Sequence, residues 1–320
     1  MRLARTSGIA ARLISVLITL FGISVFIFIV LRVIPGDTIT GSLGIETGVL
    51  TPEQIEDLKR YYGIDKPLIL QYFSWITSFL SGDLGFAYST GVSVLTLTAS
   101  SLPVTIELAL FGTISGVIMG IAIGMFSAKK PGSTRDFLGQ LFGLLALAIP
   151  GFVLSTAIVT IMANKFGYFP NGYEYMPPWE DLWMNLQQML FPSLVLGIAV
   201  AAPVMRTTRS ALLETVDKDF IRTAFGKGLK SRTVQFRHVL RNSMIPIVTM
   251  TGIQFGYLLG GAVIVEKIFA LPGMGRQILD AINKREYATV QSSVMIFAIL
   301  FVTINLVTDL IYRRIDPRIK

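Results

Sequence analysis

The sequence contains no cysteine. Thiolate metal sites, disulfides and a cysteine nucleophile are therefore excluded. It contains one histidine, His238, so no two-histidine metal site can form within one chain. Charge is scarce: 15% of the 320 residues are Asp, Glu, Lys or Arg, against about a quarter in soluble chains. Catalytic signatures are missing too. There is no G-x-x-x-x-G-K-S/T phosphate cradle, no H-E-x-x-H and no G-x-S-x-G. No catalytic residue, metal site or cofactor is expected, and His238 reads as a solvated or locally hydrogen-bonded side chain.

Apolar length takes the place of charge. Hydrophobic residues make up 52% of the chain. Six stretches carry no Asp, Glu, Lys or Arg: Leu13–Leu31, Leu108–Ala128, Phe137–Asn164, Leu182–Met205, Asn242–Val265 and Tyr287–Thr308. About 20 apolar residues in a helix cross the hydrocarbon core. Lipid offers the backbone no hydrogen-bond partners, so each span must satisfy itself as a helix. The expected fold is an all-α polytopic membrane protein with six transmembrane helices. The first stretch reads as retained, because it is long for a signal-peptide core and "LRVIPGD" follows it instead of a small-residue cleavage site.

The net charge of +8 is unevenly placed. Segments 1–12, 127–136, 206–242 and 312–320 hold 19 Lys and Arg, whereas 32–101, 164–187 and 266–289 hold 9. The positive-inside rule then puts both termini in the cytoplasm. These basic residues flank spans, which argues against a nucleic-acid-binding face.

The chain divides on this reading into residues 1–34 (N-terminus and first span), an extracytoplasmic lobe at 35–102, and a five-helix core at 103–320 whose cytoplasmic loop is 206–242. In the lobe, Thr51-Pro52-Glu53-Gln54 signals a helix start, with Ile55, Leu58 and Tyr62 on one face and Gly63 as the stop. A second amphipathic helix begins near Pro67 and presents Leu68, Tyr72, Trp75, Ile76 and Phe79, with Gly82 and Gly85 turning the chain after it. The outer segment "NKFGYFPNGYEYMPPWEDLW" reads as an interfacial aromatic anchor.

Glycines recur at four-residue spacing: Gly112, Gly116, Gly120 and Gly124; Gly139 and Gly143; Gly252, Gly256 and Gly260. Such ladders let helix backbones approach closely. The first ladder is expected to pack within the subunit. The last shares its span with Thr249, Thr251 and Gln254, so Gly252, Gln254, Gly256 and Gly260 are candidates for a pathway wall or a helix interface. Pro150-Gly151 and Pro203 are expected to kink spans three and four. Glu107 is placed near the N-terminus of span two, and Asp309 pairs with Arg313. Ionisable residues at mid-membrane are nearly absent, which weighs against an ion-coupled secondary transporter, the alternative kept open here.

Within 206–242, Asp217 or Asp219 can start a short helix. Phe220 pairs with Ala224 and Ile221 with Phe225 at i+4, Gly226 and Gly228 end the helix, and Ser231 can cap the next. An exposed apolar knob of this kind fits a partner's groove. The alternative is a helix lying flat on anionic lipid.

"DFIRTAFGKGLKSRTVQFRHVLRNSMIPIV" resembles the cytoplasmic EAA loop of ABC-importer permeases of the dipeptide/oligopeptide family. The resemblance covers nearly the whole chain: "FGISVFIFIVLRVIPGD", "SGDLGFAYSTGVSV", "SLPVTIELAL", "GGAVIVEKIFALPGMGRQILDAI" and "NLVTDLIYRRIDPRIK" are similar to family segments, in the same order. It is strongest for the first permease subunit, which carries the long loop after span one. The resemblance implies a type I ABC importer permease. Its partners would be a second homologous permease subunit, two cytoplasmic ATPase subunits and an extracytoplasmic substrate-binding protein, and ATP would be hydrolysed by those partners. It implies ATPase coupling through Phe220, Ile221, Ala224, Phe225, Lys227 and Gly228, with Lys230 and Arg232 steering the partner. The site would be a bacterial or archaeal inner membrane, and the cargo a peptide, nickel chelate, glutathione or oligosaccharide. The chain departs from the family at Phe225 and Gly226, where Arg and Ala are usual, and at Phe86 and Ser93, where Arg and Pro are usual.

Overall fold

The computed structural model describes residues 3–33, 65–87, 89–167 and 174–315, with Thr51 and Glu53; side chains at 3–11, 13 and 308–315 are excepted. The expected helix at 51–63, the exit "IPGD", part of the outer aromatic segment and the Asp309–Arg313 pair lie outside the described residues. Everything regular among the described residues is helical, apart from an isolated bridge between Phe86 and Ser93.

The helices are α1 (Leu3–Val33), α2 (Leu68–Leu80), α3 (Val94–Ala128), α4 (Thr134–Ala148), α5 (Gly151–Phe166), α6 (Leu182–Val216), α7 (Asp219–Gly226), α8 (Ser231–Ile268), α9 (Met274–Asn283) and α10 (Tyr287–Ile315). Five of them are long and apolar enough to cross a membrane: α1, α3, α6, α8 and α10. The third apolar stretch departs from expectation. It is two helices, α4 and α5, that meet at 93°, so six spans are reached only if this bent pair counts as one. The cause is local. Pro150 has no N–H to donate and crowds the residue before it out of helical geometry. Ile149 (ψ 114°) and Pro150 (ψ 139°) are both extended, and two extended residues turn the chain. Pro203 behaves differently: α6 runs unbroken through both Pro192 and Pro203. Helix α3 also begins earlier than its apolar run, ahead of Pro103, so Glu107 sits in the helix interior and not at its N-terminus.

The chain forms two compact units, Met1–Pro103 with Arg276–Val302, and Val104–Gly275 with Thr303–Lys320. In the first, the aromatic face of α2 closes on the C-terminal half of α1. The Phe28 ring meets Tyr72 edge-on at 5.3 Å, and Ser24 shares a 2.8 Å hydrogen bond with the Tyr72 hydroxyl. The Arg32 guanidinium stacks on Phe28 at 3.4 Å and donates to Gln71. Gly82 and Gly85 turn the chain after α2 with φ of 87° and 81°, as their positions suggested.

The second unit is built on the first glycine ladder. A Cβ at Gly116 would lie 2.6 Å from the Gly197 carbonyl oxygen and from Val200 Cβ. At Gly120 and Gly124 it would lie 2.7 Å from Val204 and Thr208 respectively. One face of α3 therefore rests directly on α6, and the ladder is a packing device within the subunit. Around this contact, Val104, Leu108, Met189, Val195, Val200, Val204, Ile247 and Leu258 form the buried core.

Candidate functional site

Helix α7 joins two long helices. It starts at Asp219 after a Lys218 whose side chain makes no cap, and Asp217 ends α6. Its four apolar residues do not form a free knob. At about 100° per residue, Phe220, Ala224, Ile221 and Phe225 cover one continuous arc. The centre of that arc, Ile221 and Ala224, is 1% and 6% exposed and packs with Leu212, Val234 and Val239. The edges, Phe220 and Phe225, remain 42% and 50% exposed. The expected i+4 pairs are thus replaced by an inward Ile221–Ala224 pair at i+3 and two outward phenylalanines.

The end of α7 is as the glycine suggested. Gly228 has φ of 74°, its N–H donates to Phe225 O, and Leu229 N–H donates to Ala224 O. That left-handed residue is where a side chain would be strained. Lys227, Lys230 and Arg232 are exposed around it. Ser231 is the first helical residue of α8 and not its cap, which is Lys230. Leu229 and Phe236 add exposed apolar surface that the sequence reading did not select. Residues 234–240 form a π-helical turn, which shifts the facing of every residue after it and defeats a 3.6-residue count.

Two buried polar ties fasten this region. Thr215 and Ser243 share a 3.0 Å bond, and Ser243 also reaches the Ala211 carbonyl, joining the end of α6 to α8 just after its π-helical turn. Asp136, in the first turn of α4, accepts five hydrogen bonds. They come from Ser127 (2.6 Å), Gly132 N–H (2.9 Å), Gln140 (3.1 Å) and both Arg209 Nε and Nη2 (2.7 Å each). Sequence reading passed over this pair, because Asp136 and Arg209 look like ordinary flanking charges and lie 73 residues apart.

On α8, Gly252 and Gly256 are buried, Gln254 is half-buried, and Gly260 is exposed, with no atom of the described residues within 4 Å of where a Cβ would sit. The ladder thus changes surroundings along its length. At the C-terminal end of α8, the buried Glu266 carboxylate accepts from Thr105 at 2.6 Å and fills the space beside Gly273 and Gly275. Glu107 accepts from the Tyr175 hydroxyl, and Asn185 and Gln188 fasten the backbone at 174–176. Burial, and then the bond to Glu107, push the Tyr175 phenol upward.

Residues 120–320 match the family described as "Binding-protein-dependent transport system inner membrane component", and residues 7–109 match its companion, "Binding-prot-dependent transport system membrane comp, N-term". The chain belongs to this family. The permease is 34% identical over 309 residues to the glutathione transport system permease protein GsiC of Escherichia coli (strain K12), covering 97% of each chain. It is 34% identical to the dipeptide transport system permease protein DppB of Alkalihalophilus pseudofirmus, covering 97% of this chain and 98% of that one. Among solved structures it resembles the MetNI methionine ABC transporter in inward-facing conformations (TM-score 0.55, 15% identity, 69% of this chain and 96% of that one). It also resembles an amino acid ABC transporter with histidines (TM-score 0.52, 18% identity, 68% and 94%). At those identities the likeness is one of fold. The permease is therefore a multi-pass inner-membrane subunit of an ABC importer of the peptide type, and the ion-coupled alternative finds no support among these relatives.

Proposed function

We propose that the permease forms half of a translocation pathway for peptides or similar small solutes, and that α7 is its contact with the cytoplasmic ATPases. The observation that carries the coupling role is the divided face of α7. Its centre is buried in the permease's own core, while Phe220 and Phe225 stay exposed beside Lys227, Lys230 and Arg232. An apolar rim set in cationic surroundings suits a groove on a soluble partner. Such a rim held against the permease core can hand movement to both α6 and α8. The substrate class is drawn from the relatives named for glutathione and dipeptides. The remaining partners are a second homologous permease subunit, two ATPase subunits that hydrolyse the ATP, an extracytoplasmic substrate-binding protein and membrane lipid. Both termini lie in the cytoplasm, residues 35–102 form an outer lobe, and Gly252, Gln254, Gly256 and Gly260 contribute to a pathway wall or helix interface.

One uptake and co-purification assay tests these assignments. Phe220→Asp should insert normally, because the side chain is not part of the core. Docking would bury its charge unpaired, at a cost of several kcal/mol, so ATPase co-purification should fall by about a hundredfold or more and uptake should cease. Gly228→Asp, strained by its positive φ, should give the same phenotype by re-aiming the helix. Gly256→Leu should impair uptake while leaving ATPase binding intact. Wild-type ATPase binding and uptake in Phe220→Asp would dismiss α7 as the coupling element. Identifying the ligand of the partner binding protein would decide the substrate.

A further inference from the structure

Helices α4 and α6 flank an open cavity of about 730 Å³ beside the Asp136–Arg209 pair, lined among others by Ser133, Gln140, Arg206 and Ser210. Its wall on the α4 side is apolar. Phe137, Leu141 and Leu144 follow one another at helical spacing and are 63%, 36% and 56% exposed. Its cationic members are Arg209, held by Asp136, and Arg206, whose Nε lies 3.8 Å from the position a Cβ would take at Gly143, an ordinary van der Waals distance. Asp136 cannot neutralise Arg206, because its two oxygens already accept five bonds, two of them from Arg209. Arg206 makes no ion pair or hydrogen bond with any described residue. The flanking turn adds Lys129 and Lys130.

We infer that this cavity is a binding site for an anionic phospholipid of the inner leaflet. The phosphate would sit on Arg206 with Ser210 and Gln140 beside it, and an acyl chain would run along Phe137, Leu141 and Leu144. The argument is one of complementarity. An unpaired cation and hydroxyls call for an anionic, hydrogen-bonding head, and the exposed apolar ridge alongside them calls for a hydrocarbon tail. Anionic lipid on the cytoplasmic face supplies both. A free phosphate would leave the ridge uncovered. The inference rests on the proposed orientation only for the choice of leaflet.

The test uses the purified complex of the permease with its partner subunits, exposed to equal amounts of phosphatidylglycerol and phosphatidylcholine and read by native mass spectrometry. Phosphatidylglycerol should be retained in preference. Arg206→Gln should reduce that preference roughly fivefold, the amount expected for one basic residue at an anionic surface. Arg135→Gln, outside the cavity lining, should not. Equal retention of the two lipids, or an unchanged preference in Arg206→Gln, would overturn the proposal, as would displacement of the lipid by excess inorganic phosphate. Because the chain has no cysteine, Ser210→Cys provides a single thiol. It should react with a lipid-soluble maleimide, and a cross-link to the partner permease would make the cavity a subunit interface instead. A reporter fused after Lys320 that is active only outside the cytoplasm would defeat the orientation while leaving the lipid preference measurable.

Discussion

Gly116→Leu is expected to abolish accumulation of the permease in the membrane. The first atom of any side chain at this position would lie 2.6 Å from both the Gly197 carbonyl oxygen and Val200 Cβ. Neither is the movable end of a long side chain. The carbonyl belongs to the backbone of α6, and Val200 is 1% exposed in the core. Relief therefore requires the two helices to part, which opens the Leu108, Val200, Val204 and Leu258 packing along the whole contact. Overpacking of a tight core typically costs about 1–3 kcal/mol, and a forced separation of two helices lies at or above the upper end. Even Gly116→Ala should lower the thermal midpoint of the purified protein by several degrees. Gly22→Leu is the matched control, since no atom of the described residues lies within 4 Å of where its Cβ would sit. If Gly116→Leu accumulates as well as Gly22→Leu, the α3–α6 contact is not as close as described.

Asp136→Ala carries the second large effect. Its side chain is 2% exposed and that of Arg209 24%, so removing the carboxylate strands a mostly buried guanidinium along with Ser127, Gly132 and Gln140. Breaking a buried pair on one side costs about 3–5 kcal/mol, reduced somewhat here because Arg209 retains some contact with water. Replacing both partners by leucine should cost less than either single change, because no unpaired charge remains. Thermal unfolding of the two single variants and the double variant forms the cycle. Strict additivity would mean that the two groups do not depend on each other. The prediction concerns stability, so it is independent of whether α7 docks an ATPase.

The fold was legible wherever apolar length or glycine spacing expressed it directly. Long charge-free stretches located the spans, and the Gly112–Gly124 ladder announced a close helix contact. What stayed hidden was geometry that depends on a partner far along the chain. Ile221 and Phe220 are neighbours of nearly equal hydrophobicity. Only the presence of Leu212, Val234 and Val239 decides that one is covered and the other is not. The Pro150 bend was signalled by its residues but not by its size, since proline alone does not say whether a helix kinks or stops. Pro203, in the same protein, does not stop its helix. Asp136 and Glu266 were not singled out, and Glu107 was placed at a helix N-terminus, because the groups that hold them, Arg209, Thr105 and Tyr175, are distant in sequence.

The division of α7 into a covered centre and an open rim also separates two kinds of evolutionary freedom. Ile221 and Ala224 answer to the permease's own interior, so a change there is judged by folding before any partner meets it. Phe220, Phe225 and Gly226 answer to whatever approaches from outside, and they can drift together with that surface at little cost to the fold. Both positions at which this loop departs from its family's usual residues, Phe225 and Gly226, are exposed. If α7 is the ATPase contact proposed above, the permease can change its motor's matching face without retuning its transmission.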